Sequence, residues 1–228
     1  MTKSQRPFYL DAGIPGDKLY HLSCSSYLLN FVAPEQLKYF AEETNQQENG
    51  EIDQRMADKI IAAGSNNRDY AALCQAAEDL PEEVHVICDL VRFKQTSPEN
   101  VFWHNFVPVR RYIRILRRAK FVVVPMISTE LSGGENTTTF AMALGKAVIA
   151  TRVEATEDFM QDGVNGILVP PSDPAVLHNA MKKLLDNPEL AHQIGESGRE
   201  TEKHLSAVCE KNVTEVFARA MAMVGSAN

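Results

Sequence analysis

Short runs of apolar and β-branched residues alternate with segments of helical periodicity along most of this chain. The apolar runs end at a glycine, a proline or a polar turn, and helical spacing of apolar residues follows. Strands rich in valine, isoleucine and alanine that alternate with helices form parallel sheets, because each crossover helix covers a face of the sheet. The pattern predicts a doubly wound α/β domain with a parallel sheet over roughly residues 57–200.

Six strands and five helices are predicted within this domain. The predicted strands span 59–64, 83–90, 100–108, 121–126, 147–153 and 165–171. The predicted helices span 68–80, 109–120, 136–145, 154–163 and 173–187. Asp173 as N-cap and Pro174 at the first helical position mark the start of the last helix.

The two flanks lack this alternation. Residues 1–56 combine one strand pattern at 18–24 with a polar stretch at 40–57, which we interpret as a linker region with a surface loop. Residues 199–225 have a helical pattern, so we expect the segment 201–228 to be a C-terminal helix that packs on the domain. The proposed divisions are therefore 1–56, 57–200 and 201–228.

Composition excludes several classes of protein. The net charge of −7 argues against a nucleic-acid-binding surface. The four cysteines form no CxxC pair, which indicates reduced thiols and a cytoplasmic location. No apolar run approaches the ~20 residues that a membrane span needs, and no ligand cluster predicts a bound metal. His85 and His104 lie in apolar strand patterns, so we expect them in the core or at a sheet edge rather than in catalysis.

A glycine-rich junction leads from the strand at 121–126 into the helix at 136–145. Gly133 and Gly134 allow backbone amides to approach a ligand, and the helix start presents unpaired N–H groups with a positive dipole end. Asn136, Thr137 and Thr138 add side-chain donors, so the junction predicts an anion site, most plausibly for phosphate. The alternative, given equal weight, is that Asn136 caps the helix and the glycines only form a turn.

A second junction of the same kind follows the strand at 59–64. It contains Gly64 and Arg68, whose guanidinium fits phosphate oxygens well. If both strand ends lie on one edge of the sheet, Arg68 and the other helix start can hold one diphosphate between them. The alternative is that Arg68 is a surface residue and that Asn66 or Asn67 caps the helix.

The stretch FAMALGKAVIATRVEATEDFMQDGVNGILVPPSDPAVLHNAMKKLLDNPEL resembles the C-terminal half of GT-B glycosyltransferases of the retaining glycosyltransferase family 4. In that family a segment like LEAMALGKPVIAT precedes a strand, a DGxNGxLVPPxDP run and a helix that ends in LLDNPEL. The resemblance is dense over residues 121–198. It is weaker upstream, where 10–31 resembles the crossover into that half and 58–76 resembles its first strand and phosphate loop.

The resemblance implies a Rossmann-like domain, as in one half of a GT-B enzyme, that binds a UDP- or GDP-linked sugar without a metal or other cofactor. The two junctions would contact the diphosphate from opposite sides, and Asn105 to Val107 would lie against the nucleobase. Catalytic residues are not identified. The implied donor-binding residues are Gly64, Asn67, Arg68, Asn105, Val107, Gly133, Gly134, Glu135, Asn136, Thr137 and Thr138.

Two positions depart from the family pattern. The family commonly places two glutamates eight positions apart across the second junction, and the later one would grip the ribose. Here Ser132 and Phe140 occupy these positions. Glu130 and Glu135 lie close by, and either is a candidate for the lost role. Because Phe140 cannot bond a ribose hydroxyl, nucleoside recognition must differ or be weak.

A GT-B enzyme has two Rossmann-like domains, and 228 residues have room for one. The chain is then a fragment, one subunit that pairs with a separate acceptor-binding chain, or a degenerate relative. We expect it to bind donor and turn over little alone, because the geometry that brings the reactants together is missing. Two functions stay open: donor binding for sugar transfer with retention, and a non-catalytic module that binds a nucleotide sugar or a partner. A sugar-nucleotide epimerase of the same fold is a weaker third alternative.

Residues 109–120 place six cations on one segment of an acidic chain. A solvated helix face is the favoured interpretation, because charge runs usually have that role. The alternatives are peripheral contact with an anionic membrane, at the inner surface, and docking to the missing acceptor-binding domain.

Overall fold

The computed structural model describes residues 10–13, 54–91, 93, 96–127 and 133–225. A parallel sheet of six strands forms its centre, which confirms the predicted fold class. The strands are β1 (Ile60–Ala63), β2 (Val84–Ile87), β3 (Val101–His104), β4 (Phe121–Val124), β5 (Val148–Thr151) and β6 (Ile167–Val169). The helices are α1 (Tyr70–Ala77), α2 (Val109–Arg118), α3 (Glu135–Ala143), α4 (Glu154–Glu157), α5 (Pro174–Asp186) and α6 (Pro188–Gly225).

The strands lie in the order β3-β2-β1-β4-β5-β6, so the sheet grows outward in both directions from the pair β1 and β4. The connections after these two strands diverge: α1 packs on one face of the sheet and α3 on the other. A crevice therefore opens at the carboxyl ends of β1 and β4, where ligands of doubly wound sheets bind.

Side chains along β1 alternate between two separate cores. Ile60 and Ala62 pack into the core beneath α1 and α5. Ile61 and Ala63 pack into the core beneath α2 and α3. Both faces of the strand are buried, which explains why β1 is a continuous apolar run rather than an alternating one.

Several predicted bounds need correction. Each strand has only three or four residues, because the ends of the apolar runs lie in turns. The helix predicted at 154–163 is a single turn, α4, because the Asn165 side chain ties the following chain into a loop. Its Oδ1 accepts from the Gln161 N–H at 2.6 Å, and its Nδ2 donates to the Phe159 carbonyl at 3.0 Å.

Asp173 is the N-cap of α5 and Pro174 is its first helical residue, as predicted. The Asp173 carboxylate accepts from the Val176 N–H at 3.0 Å. The same chemistry recurs at Asn187 and Pro188, where the Asn187 amide oxygen accepts from the Leu190 N–H at 3.1 Å. The last helix therefore begins at Pro188, earlier than predicted.

The strand expected at 18–24 and most of the polar stretch 40–57 lie outside the described residues. The proposed boundary at residue 200 falls inside α6. The division into 1–56, 57–200 and 201–228 stays a prediction.

Candidate functional site

The loops that follow β1 and β4 are joined by backbone hydrogen bonds. The Asp69 N–H donates to the Pro125 carbonyl at 3.0 Å, and the Ile127 N–H donates to the Asn67 carbonyl at 3.0 Å. These bonds hold the turn at 64–69 against the chain after β4. The two glycine-rich junctions consequently lie on the same edge of the sheet.

A cavity of about 320 Å³ separates the two junctions. Its walls contain most of the residues predicted from the sequence, together with Ser65 and Asn66, which the sequence interpretation did not include. The cavity is lined by Gly64, Ser65, Asn66, Arg68, Gly133, Gly134, Glu135, Asn136 and Thr137.

Arg68 is buried, with 6% of its surface exposed, so it is not a surface residue. Its Nε donates to the Ala63 carbonyl at 2.8 Å, and its Nη1 donates to the Asn66 carbonyl and the Met126 sulfur, both at 2.8 Å. Burial lowers the pKa of Arg68, yet an arginine stays protonated in proteins. Within the described residues no carboxylate forms an ion pair with it. The cavity wall thus holds a cation that lacks a counter-charge there.

Gly64 allows the guanidinium to lie flat against the backbone. Its φ is +112°, and a Cβ at this position would lie 2.3 Å from Arg68 Nη2. The Tyr70 hydroxyl donates to the Gly64 carbonyl at 2.6 Å and holds the turn in place. A glycine is required here both by the backbone conformation and by the space that Arg68 occupies.

Helix α3 begins at Glu135, one residue before the predicted start, with Gly134 as its N-cap at φ +77°. Asn136 is exposed inside the first turn, and no side chain caps this helix, so Asn136 is not the cap. The first intrahelical bond runs from the Thr138 N–H to the Gly134 carbonyl. The preceding amides have no partner within the helix, and they give its start a partial positive charge.

The two threonines after Asn136 differ in position. Thr137 lines the cavity, and its Oγ1 accepts from the Tyr112 hydroxyl at 3.1 Å. Thr138 is fully buried and lies outside the cavity wall, and none of the described residues forms a hydrogen bond with its hydroxyl. Successive residues of a helix point about 100° apart, which separates them.

Three further predicted residues also lie outside the wall of the cavity. Asn67 adopts a positive φ of 54° and sits behind Gly133, with its Nδ2 3.6 Å from the point where a Gly133 Cβ would be. Asn105 is exposed and Val107 half-buried in the loop after β3. That loop shares the carboxyl edge of the sheet but follows the outermost strand, two strands away from β1.

Glu135 lines the cavity, and its buried Oε1 has no hydrogen-bond partner among the residues that the structure describes. Burial raises the pKa of this carboxyl, and the nearby Asp158 carboxylate raises it further. Phe140 is 8% exposed, and it packs near the Tyr112 ring in the core beneath α2 and α3. Ser132 and Glu130 lie outside the described residues.

Asp69, rather than Asn66 or Asn67, is the N-cap of α1, since its Oδ1 accepts from the Ala72 N–H at 3.0 Å. An aspartate directly before a helical pattern is a strong N-cap signal, so the sequence contained this information. Ser65 and Asn66 had no such signal, because their exposure to the cavity depends on the turn conformation around Asn67.

The buried His85 and the half-buried His104 form a pair on neighbouring strands, as expected for core or edge histidines. His85 Nδ1 lies 2.9 Å from His104 Nε2, and the other ring nitrogen of His85 lies 3.2 Å from Glu83. Burial lowers the pKa of both imidazoles, that of His104 to about 4. The pair is therefore neutral at physiological pH.

A larger cavity of about 600 Å³ lies at the opposite edge of the sheet, beside Lys120, Lys146 and the start of α6. It adjoins the amino ends of the strands, where ligands of doubly wound sheets do not usually bind. We therefore place the candidate site at the carboxyl edge. In the described part of the chain, no group of three or more metal-ligating side chains occurs, and no helix there has the length and apolarity to span a membrane.

Comparison with known proteins identifies related sequences. The family model described as "Glycosyl transferases group 1" matches residues 31–187. An uncharacterized glycosyltransferase of Methanocaldococcus jannaschii is 35% identical over 103 residues, which cover 45% of this chain and 28% of the relative. Alpha-maltose-1-phosphate synthase of Mycolicibacterium smegmatis is 30% identical over 135 residues, which cover 56% of this chain and 34% of the relative. The matches thus span about a third of the length of these relatives.

Solved structures share the fold at low sequence identity. Anabaena HepE, solved with UDP and glucose, superimposes with a TM-score of 0.68 at 12% identity, over 96% of this chain and 62% of that one. A glycosyltransferase of Rickettsia africae superimposes with a TM-score of 0.66 at 17% identity, over the same shares of the two chains.

Proposed function

The chain belongs to the glycosyl transferase group 1 family, and we propose that it is the donor-binding half of such an enzyme. Its ligand is a UDP- or GDP-linked sugar, and the diphosphate occupies the cavity between Arg68 and the start of α3. One observation carries this proposal: a buried guanidinium without an ion-pair partner among the described residues forms part of the cavity wall. A buried cation is costly unless a counter-charge accompanies it, and an anionic ligand supplies one.

Two groups of donors converge on the diphosphate in this proposal. Arg68 directs its guanidinium to one phosphate, and the amides at the start of α3 donate to the other. Thr137 adds a hydroxyl from the same helix turn. Arg68 and the helix dipole together neutralise the phosphates, which supports a donor site that works without metal or cofactor.

The nucleobase is proposed to lie against Asn105 to Val107. This loop follows β3 and shares the carboxyl edge of the sheet with the cavity, which supports the assignment. Asn67 contributes by holding the turn rather than by contact, because it lies behind Gly133. No residue is assigned to the chemical step.

Retention, membership of glycosyltransferase family 4 and the position of this domain as a C-terminal half are proposals that rest on the motif resemblance of residues 140–190. The acceptor half would be a second domain or chain. Three large apolar side chains at the carboxyl edge support a partner there: Val91 is 85%, Phe106 59% and Ile127 48% exposed. Alone, the chain would bind donor and turn over little.

We place the protein in the cytoplasm, with peripheral membrane contact through residues 109–120 as a further proposal. Arg117 and Arg118 at the end of α2 are exposed, which supports contact with an anionic surface.

A non-catalytic nucleotide-sugar-binding module is the second candidate. The buried Phe140, at the position where the family resemblance places a ribose-binding glutamate, favours it. Transfer or hydrolysis of the donor that starts only when an acceptor-binding chain is added would decide for the enzyme. Tight donor binding without turnover under any such pairing would decide for the module.

Calorimetric titration with UDP-glucose and GDP-glucose tests donor binding directly. Arg68→Gln removes the charge, and we expect it to weaken donor binding by about 10- to 100-fold, since a charged hydrogen bond contributes roughly 1.5–3 kcal/mol. Arg199→Gln is the matched control, because Arg199 is exposed on α6 and its ion pair within the described residues is with Glu196, away from the cavity. Equal affinity of both variants and the wild type would refute the proposed site.

A further inference from the structure

Glu135 places an acidic group where the proposed ligand is also acidic. It is the first residue of α3 and lines the cavity together with Arg68. In the described part of the chain its buried Oε1 has no hydrogen-bond partner, and the Glu135 carboxylate forms no ion pair with Arg68. A buried carboxylate oxygen without a hydrogen-bond donor is unfavourable when the group is charged. Burial therefore favours the protonated form of Glu135 before any ligand binds.

The surrounding groups act on Glu135 in both directions: burial and a neighbouring carboxylate favour its neutral form, whereas the Arg68 cation on the same cavity wall and the positive end of α3 favour its charged form. Burial raises the pKa of Glu135, and Asp158, just beyond α4, adds like-charge repulsion. Arg68 uses its Nε and Nη1 for carbonyl and sulfur acceptors instead of the carboxylate. Tyr112 on α2 has a pKa raised to about 12 by burial and stays neutral at ordinary pH.

We propose that donor binding is coupled to the uptake of one proton by Glu135, whose neutral carboxyl then donates to a phosphate oxygen. The inference rests on the proposed function of the cavity. Two like charges held close together in one partly buried site raise each other's cost of staying ionised, so protonation of one of them is favoured. A protonated carboxyl removes the repulsion and becomes a hydrogen-bond donor. Glu135 thereby tunes the affinity for the diphosphate to pH.

The test is calorimetric titration with UDP-glucose and GDP-glucose from about pH 5.5 to 8.5, a range in which carboxyls with raised pKa values, histidines, the α-amino group and ordinary cysteines change charge; the Glu135→Gln variant separates the Glu135 contribution from the others. These ligands are suitable because each phosphorus carries one ester bond and the shared anhydride bond, so each phosphate keeps one charge throughout this pH range. The wild-type association constant should fall as pH rises, by at most about tenfold per pH unit. Titrations in two buffers of different ionisation enthalpy should show uptake of up to one proton per ligand.

Glu135→Gln should bind at least as tightly as the wild type at the highest pH, with a flat pH profile, because the amide is neutral and still donates. Glu200→Gln is the control: Glu200 is 69% exposed on α6, and its variant should retain the wild-type slope. Thermal unfolding of each variant checks that it is folded.

A wild type that binds donor with a flat pH profile overturns the inference but leaves the proposed function intact. Loss of affinity in Glu135→Gln at every pH also overturns it, since Glu135 would then accept a hydrogen bond from a ligand hydroxyl. If the wild type binds neither nucleotide sugar at any pH, the proposed function and this inference both fail.

Discussion

Replacing Gly64 by alanine tests how the turn after β1 positions the cation of the site. A Cβ on Gly64 would lie 2.3 Å from Arg68 Nη2, 2.7 Å from Cζ and 2.8 Å from Nε. These distances are shorter than any real contact, so the guanidinium must move away from the backbone. The side chain then gives up at least one of its bonds to the carbonyls of Ala63 and Asn66.

Backbone strain and a lost hydrogen bond together determine how much stability Gly64→Ala loses. An alanine at φ +112° is strained by roughly 1–3 kcal/mol. Loss of one charged hydrogen bond adds roughly 1.5–3 kcal/mol. We therefore expect Gly64→Ala to lower the free energy of unfolding by about 2.5–6 kcal/mol, which corresponds to a fall in Tm of roughly 5–25 °C for a domain of this size.

Gly163→Ala is the matched control. Gly163 has a φ of +74°, but a Cβ there would meet no atom within 4 Å. Only the backbone strain remains, so the free energy of unfolding of this variant should fall by about 1–2 kcal/mol. The difference between the two variants isolates the displacement of Arg68.

Urea unfolding followed by circular dichroism measures both stabilities, and titration with UDP-glucose or GDP-glucose measures the site. Gly64→Ala should weaken donor binding at temperatures where it is fully folded, whereas Gly163→Ala should not. If both alanines destabilise equally, the packing of Arg68 on Gly64 contributes nothing. If Gly64→Ala is destabilised but binds donor normally, Arg68 does not hold the ligand.

Three further predictions concern stability and surface contact. Thr156→Val should lower the free energy of unfolding, measured in urea, by about 1–3 kcal/mol, because the buried Thr156 hydroxyl accepts from the Val153 N–H at 3.1 Å. Thr156→Ser keeps a hydroxyl and should retain most of the wild-type stability. Equal losses of stability in the two variants would contradict the reasoning. Because the pKa of His104 is about 4 in the fold against an ordinary 6.5, the unfolded chain binds more protons at this residue between these values. The His104 contribution to stability should therefore be constant above pH 6.5 and be lost as pH decreases toward 4. His104→Gln should lose stability less steeply than the wild type over this range, and an unchanged slope would contradict the reasoning. Membrane contact through α2 predicts that the double variant Arg117→Ser, Arg118→Ser co-sediments less with anionic vesicles than the wild type, and wild-type sedimentation that is independent of anionic lipid would remove the proposal.

The fold class and the helix caps could be predicted from the sequence because they depend on residues that are neighbours along the chain. The alternation of apolar runs and helical patterns was sufficient for a parallel doubly wound sheet, because a strand buried on both faces must be apolar throughout. The N-cap at Asp173 was equally readable, since capping involves only neighbouring residues. Asn187 with Pro188 contained the same signal, although the sequence interpretation did not use it for the start of α6.

The composition of the candidate site depended on contacts between distant segments. The glycine junctions around Gly64 and Gly134 are visible in the sequence, but their shared cavity exists because β1 and β4 are neighbours in the sheet. Strand order is not encoded in local periodicity. The sequence alone therefore could not show whether the two junctions lie next to each other. The tertiary structure also decided that Arg68 is buried rather than exposed, because its guanidinium bonds to the carbonyls of its own turn and to Met126 from the chain after β4.

The sequence by itself determined the residue types and the two turns that a phosphate site requires. Only the tertiary structure decided which side chains reach the cavity. It turned Thr138 into the core and Asn67 behind Gly133, and it placed the Glu135 carboxylate in the wall without a partner. The physical reason is that side-chain direction and burial are set by packing between elements, whereas helix, strand and turn formation follow from neighbours along the chain.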